Sequence, residues 1–139
     1  MVKRRILIVS NDPTLCHSIQ NEMESGTTEI HCAVSVSSAL SCITSGGYCL
    51  LIADLQLPGM DKLEMVRILR TMVNTPIITI SDRLDADELI DLYYSGADAY
   101  MEKPIDPRIC TAQANALIDL YYRDDDESRK RATLAFGSS

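Results

Sequence analysis

The chain has 139 residues, of which 46% are apolar and 24% charged, and its formal net charge is −7. That length suits one domain with a real core rather than two, and the composition is that of an ordered soluble protein. The acidic balance argues against a nucleic-acid surface on this domain, because phosphate binding needs clustered Lys and Arg. Five cysteines (Cys16, Cys32, Cys42, Cys49 and Cys110) occur singly, and His17 and His31 lack metal-ligand spacing. They read as reduced, small hydrophobes in a cytoplasmic protein.

Basic Lys3-Arg4-Arg5 precedes an apolar run of only Ile6-Leu7-Ile8-Val9. A signal peptide needs a longer run, and a membrane span needs about 20 residues. No direct membrane contact is expected. The run reads instead as a first, buried strand. Asp12-Pro13 then predicts a helix start, with Asp at the cap and Pro in the first turn. Leu15, Ile19 and Met23 follow at intervals of four as one apolar stripe, and Gly26 is the expected stop.

Residues 30–36 predict the second strand, and residues 37–44 a short helix stopped by Gly46-Gly47. Cys49-Leu50-Leu51-Ile52-Ala53 is apolar without alternation, the pattern of a parallel strand covered on both faces. Leu57-Pro58-Gly59-Met60 predicts a loop, and Leu63, Val66, Leu69 and Met72 the apolar stripe of a third helix. Pro76-Ile77-Ile78-Thr79-Ile80 is the fourth strand. Residues 85–94 form a fourth helix closed by Ser95-Gly96. Ala99-Tyr100-Met101 is a short fifth strand, and a last helix runs from Pro107 through Leu117 and Leu120.

Strict alternation implies a parallel sheet with helices on both faces. Sites in such sheets lie beyond the carboxyl ends of the strands. Those ends deliver Ser10-Asn11-Asp12, Asp54, Ser81-Asp82 and Glu102-Lys103. A carboxylate, a hydroxyl and an ammonium should therefore meet at one edge. Asp54 can act as an oxygen nucleophile toward a phosphoryl group. Lys103 can neutralise phosphate oxygens, and Ser81 can donate a hydrogen bond to them.

Four segments, in this order and spacing, resemble the receiver domains of two-component response regulators over about residues 3–122. They are the first strand with its loop, Asp54-Leu55-Gln56-Leu57-Pro58-Gly59-Met60-Asp61, Pro76-Ile77-Ile78-Thr79-Ile80-Ser81, and Gly96-Ala97-Asp98-Ala99-Tyr100-Met101-Glu102-Lys103-Pro104. The resemblance implies a flavodoxin-like (βα)5 three-layer sandwich with a parallel sheet in the order 2-1-3-4-5. It implies Asp54 as phosphoryl acceptor, with Lys103 and Ser81 at the phosphate. It also implies a Ser81–Tyr100 switch, a cis Lys103-Pro104 bond, and a Mg2+ ligand from the Gln56 backbone carbonyl. The implied partner is a sensor histidine kinase. The output passes to a further domain or a downstream protein through the surface of helix four, strand five and helix five, where Asp98 and Arg108 are available to a homodimer. The family's domain is a signalling module, not an enzyme.

Three positions depart from the family pattern. Ser10 and Asn11 stand where two adjacent acidic residues normally hold Mg2+, and Asp12 is committed to a helix cap. With Asn11, Asp54 and the Gln56 carbonyl left as ligands, Mg2+ binding is expected to be weak. Lys62 occupies a position usually held by Gly. Asp82 follows the hydroxyl where a small residue is usual, and either places a negative charge near the phosphate or replaces part of the acidic pair.

Two functions follow: a phosphorylation-controlled receiver, or a pseudo-receiver that works by protein contact alone. A flavin-binding or enzymatic flavodoxin-like protein lacks support, since Ser10-Asn11-Asp12-Pro13 contains no phosphate-cradling Gly. Residues 123–139 read as a helical extension or linker. Within them Asp125/Arg129, Asp126/Lys130 and Glu127/Arg131 have helix-pair spacing. Arg131-Ala132-Thr133-Leu134-Ala135-Phe136-Gly137 resembles the start of a winged-helix output domain, which would make the whole a transcription regulator.

Overall fold

Five strands alternate with five helices in the described residues, 3–136: β1 (Arg4–Val9), α1 (Pro13–Met23), β2 (Thr28–Ala33), α2 (Val36–Ser45), β3 (Tyr48–Asp54), α3 (Lys62–Met72), β4 (Ile77–Ser81), α4 (Ala86–Ser95), β5 (Ala99–Glu102) and α5 (Pro107–Phe136). In this computed structural model the strands pair in parallel in the order β2-β1-β3-β4-β5, the flavodoxin-like arrangement.

The unpatterned apolar runs are explained by two cores, one on each face of the sheet. Ile6, Ile8, Leu50, Ile52, Ile78 and Ile80 meet Leu15 and Ile19 of α1 and Cys110 and Ala114 of α5. Leu7, Val9, Leu51 and Ile77 meet Ala39 of α2, Met65, Val66 and Leu69 of α3, and Leu92 of α4. Each fully buried Ile or Leu is worth about 1.5–3 kcal/mol of transfer free energy. This double burial makes the sheet rigid and fixes the strand ends that carry the polar residues.

Caps define where the chain leaves the sheet edge. Asp12 accepts from the Thr14 and Leu15 amides at 3.0 and 3.3 Å, with Pro13 opening α1. Asp61 does the same for α3, which starts at Lys62. Asp85 and Glu88 form a reciprocal capping box on α4. Gly96 ends α4 at φ 121°, and a Cβ there would sit 2.6 Å from the Arg70 side chain. Both the backbone conformation and the close approach require glycine.

Three expectations are corrected. The second strand stops at Ala33, and Val36 already belongs to α2, because Ser35 and Ser38 form a capping box. Val34, which looked like strand, is 67% exposed. Helix α1 ends at Met23, with the Glu24 amide donating to the Gln20 carbonyl, so Gly26 lies in the following turn. Met72 is exposed and does not complete the apolar stripe of α3.

Helix α5 continues through Tyr122 to Phe136 without a break. The pairs expected between residues 125 and 131 fall on side chains outside the described ones, which end at Tyr122, and the frayed end expected at Gly137-Ser138-Ser139 lies outside the described residues. No described helix is long and apolar enough to cross a membrane.

Candidate functional site

Asp54 is the last residue of β3, and its side chain is 3% exposed. Three elements bring donors to it. β1 and β3 are neighbours with Val9 opposite Ala53, so Ser10 leaves β1 beside Asp54. The Ser10 hydroxyl donates to Asp54 Oδ2 at 2.8 Å. It also accepts from the Asp12 amide at 3.1 Å, which holds its orientation. The Gln56 backbone amide donates to Oδ1 at 3.1 Å.

Lys103 arrives from the far edge. Ser81 is opposite Glu102, and the Lys103 amide donates to the Ser81 carbonyl at 2.8 Å. The Lys103 ammonium then reaches Asp54 Oδ1 at 3.1 Å and Oδ2 at 3.2 Å. The peptide bond to Pro104 is cis. Both carboxylate oxygens are thus bonded, and the buried charge is paired, as burial demands.

Ser81 is buried, but its hydroxyl does not face Asp54. It donates to the Asp82 backbone carbonyl at 2.6 Å. The half-buried Tyr100 donates its hydroxyl to the same carbonyl at 2.8 Å. The Asp82 carboxylate accepts from Gln56 Nε2 at 2.5 Å. Asn11 and Gln56 are exposed beside the Asp54 pocket. Lys62 pairs with Glu88 at 2.8 Å and ties the starts of α3 and α4 together. That bond raises the ammonium's pKa above its ordinary value. The preceding loop turns instead at Gly59, at φ 88°.

The Ser10–Asp54 and Gln56–Asp82 contacts are among those not read from the sequence. Ser10 was identified as a missing acid, not as a donor to Asp54. The β1–β3 adjacency implied by the fold would have indicated that bond. The Gln56–Asp82 contact joins two loops whose shapes no strand register dictates.

The chain matches the response regulator receiver domain family over residues 6–115. It belongs to that family. The receiver domain is a signalling module rather than a catalytic enzyme. Among curated relatives, the DNA-binding response regulator MtrA of Mycolicibacterium smegmatis is 29% identical over 133 residues, covering 96% of this chain and 57% of MtrA. The transcriptional regulatory protein SrrA of Staphylococcus aureus is 29% identical over 117 residues, covering 84% of this chain and 48% of SrrA. The chain therefore spans about half the length of these relatives. Among solved structures, a CheY-like response regulator receiver domain protein from Methanospirillum hungatei superposes with a TM-score of 0.80 at 24% identity, covering 88% of this chain and 98% of that one. The beryllofluoride-activated DrrB receiver domain gives 0.75 at 18% identity, covering 85% and 99%. At these identities the likeness concerns the fold.

Receiver domains generally bind Mg2+. The residues of this chain fit that ion poorly. Asp54 is already neutralised by Lys103, Asp12 caps α1, and the acidic pair is replaced by a hydroxyl and an amide. Among the described residues no three His, Cys, Asp or Glu side chains gather as a cation site. One carboxylate at about 4 Å from a divalent ion contributes roughly 8 kcal/mol at an effective dielectric near 20, before desolvation. Each acid missing from the site removes an attraction of that order, while Mg2+ sheds its water reluctantly.

Proposed function

We propose that this chain is a receiver in which Asp54 accepts a phosphoryl group from a phosphohistidine of a partner sensor histidine kinase. The observation that carries this reading is the Asp54–Lys103 pair at the sheet edge, buried on the carboxylate side and 3.1 Å long. A carboxylate oxygen of Asp54 attacks the phosphorus, and the phosphorus–nitrogen bond to the donor imidazole breaks. The imidazole leaves and takes a proton from solvent, and an acyl phosphate remains on Asp54. Lys103 offsets the added charge, and the Gln56 amide lies on the same side to hold an oxygen. The Ser10 hydroxyl must leave Oδ2 or turn to donate to the phosphoryl group. Any Mg2+ on Asn11, Asp54 and the Gln56 carbonyl is weakly held.

Phosphorylation then draws Ser81 away from the Asp82 carbonyl, and Tyr100 changes with it. The readout is the surface of α4, β5 and α5, where Ile90, Tyr94 and Ile109 are exposed. That surface would bind a second copy, an output domain or a downstream protein. Residues 1–122 form the receiver, and residues 123–139 the connection toward an output. The DNA-binding relatives support transcription control as that output. Acetyl phosphate treatment tests the chemistry: an acid-stable, hydroxylamine-labile adduct on Asp54 is expected, and its absence removes the reading.

One observation favours a second reading. The Ser10–Asp54 bond completes the carboxylate's hydrogen bonding without phosphate or metal. A pseudo-receiver acting by contact alone would keep its partner binding in Asp54→Ala.

A further inference from the structure

We infer that Asp82 is a positioning residue: Gln56 grips its side chain, and its carbonyl holds the Ser81 and Tyr100 hydroxyls, so that the three form a clasp opposing the activated state. This inference rests on the phosphoryl-acceptor reading and names its regulator. The clasp links three separate parts of the sheet edge. Gln56 comes from the loop after β3, Ser81 ends β4, and Tyr100 lies within β5. Their donors converge on one residue at 2.5, 2.6 and 2.8 Å.

The chemistry explains why the residue matters. A backbone carbonyl has two lone pairs, and here two hydroxyls take them. Ser81 has a single hydroxyl proton, so while it bonds Asp82 it cannot donate toward Asp54. The position of that carbonyl is set by the loop after β4, which is solvent-facing. The Asp82 carboxylate anchors that loop through the charge-assisted bond from the Gln56 amide. A small side chain at position 82 would leave the loop unanchored. An acyl phosphate on Asp54 adds negative charge beside an already negative Asp82, and the repulsion favours opening. The clasp therefore raises the threshold for switching and is released by the same charge that switches the domain.

Two variants separate the grip from plain electrostatics. Gln56→Ala removes the grip without changing charge and keeps the backbone amide on Asp54. Asp82→Asn removes the charge but keeps an oxygen that accepts from Gln56. Beryllofluoride affinity, measured in Mg2+ buffer, should tighten about three- to tenfold in Gln56→Ala, the scale of one solvent-facing hydrogen bond. If only Asp82→Asn tightens and Gln56→Ala matches the parent, Asp82 acts through charge alone and the clasp is overturned. A second readout needs no anion. With 13C-labelled tyrosine, the Tyr100 ring signals should move in ligand-free Gln56→Ala and stay near the parent's in Asp82→Asn. Unmoved Tyr100 signals in Gln56→Ala also overturn the clasp. A parent that binds no beryllofluoride would instead count against the acceptor reading, and the Tyr100 signals would still decide the clasp.

Discussion

The Ser10 hydroxyl donates a 2.8 Å hydrogen bond to Asp54 Oδ2, at a position where the family usually carries an acid. This bond changes what the site does at rest. An acidic residue there would repel Asp54 unless a cation lay between them. A hydroxyl satisfies Asp54 without one.

Replacing Ser10 with Asp should therefore reverse the metal dependence. Two carboxylates would face each other, so the metal-free variant should melt lower than the parent. Added Mg2+ should stabilise the variant by mass action, by about 2.7 kcal/mol at a hundredfold excess over its Kd, and so raise its Tm. The parent should respond little over the same range. Thermal melts with and without Mg2+ measure this, and equal Mg2+ responses would contradict it.

Lys103→Ala should destabilise the fold. Asp54 would remain buried with its charge unpaired, a loss of about 3–5 kcal/mol in comparable sites. Adding Asp54→Asn should recover much of that, because the neutral amide removes the buried charge. Urea denaturation of both single variants and the double variant checks the coupling, and additive losses would argue against it.

Much of this design was readable in the sequence, and the reasons are particular. Residues 6–9 and 49–53 are apolar at every position, the pattern of short parallel strands buried on both faces. Asp12-Pro13 announced α1 because a cap and its first-turn proline are local features. Val34 misled because strand preference speaks to shape, whereas the Ser35–Ser38 box had already begun α2. Asp54, Ser81 and Lys103 could be placed at one edge from strand ends alone. Where the Ser81 hydroxyl points could not, since it depends on the Asp82 carbonyl, a loop position that periodicity does not reach.

Arg70 should tolerate no replacement well. Its guanidinium donates to Asp98 at 3.0 Å and to the Gly96 and Val73 carbonyls at 3.1 and 3.0 Å. Asp98 in turn accepts from the Ile77 amide at 2.8 Å and the Tyr121 hydroxyl at 2.6 Å. Arg70→Lys cannot reproduce the planar fork, so it should lose about 2–3 kcal/mol, close to the Ala variant. Chemical denaturation decides it: a loss under about 0.5 kcal/mol, the scale of ordinary surface substitutions, would contradict this view.

Alkaline pH should weaken the fold in part through Cys110. Burial pushes this thiol from 9.0 up to about 11. Between those values the unfolded chain has lost the proton that the native state keeps, so stability falls as pH rises. The full loss corresponds to about 2–3 kcal/mol. Cys110→Ala should be less stable near neutrality but lose less between pH 9 and 11. Parallel slopes for parent and variant would refute it.

The most direct test of the central claim is phosphoryl transfer itself, followed as a function of Mg2+. The chain is incubated with acetyl phosphate and its labelled peptide identified by mass spectrometry, beside Asp54→Asn and Ser10→Asp. A phosphoryl adduct confined to Asp54 is predicted, with a yield still rising at Mg2+ concentrations that saturate Ser10→Asp. No adduct on Asp54 at any Mg2+ concentration, while Ser10→Asp is labelled, would contradict it.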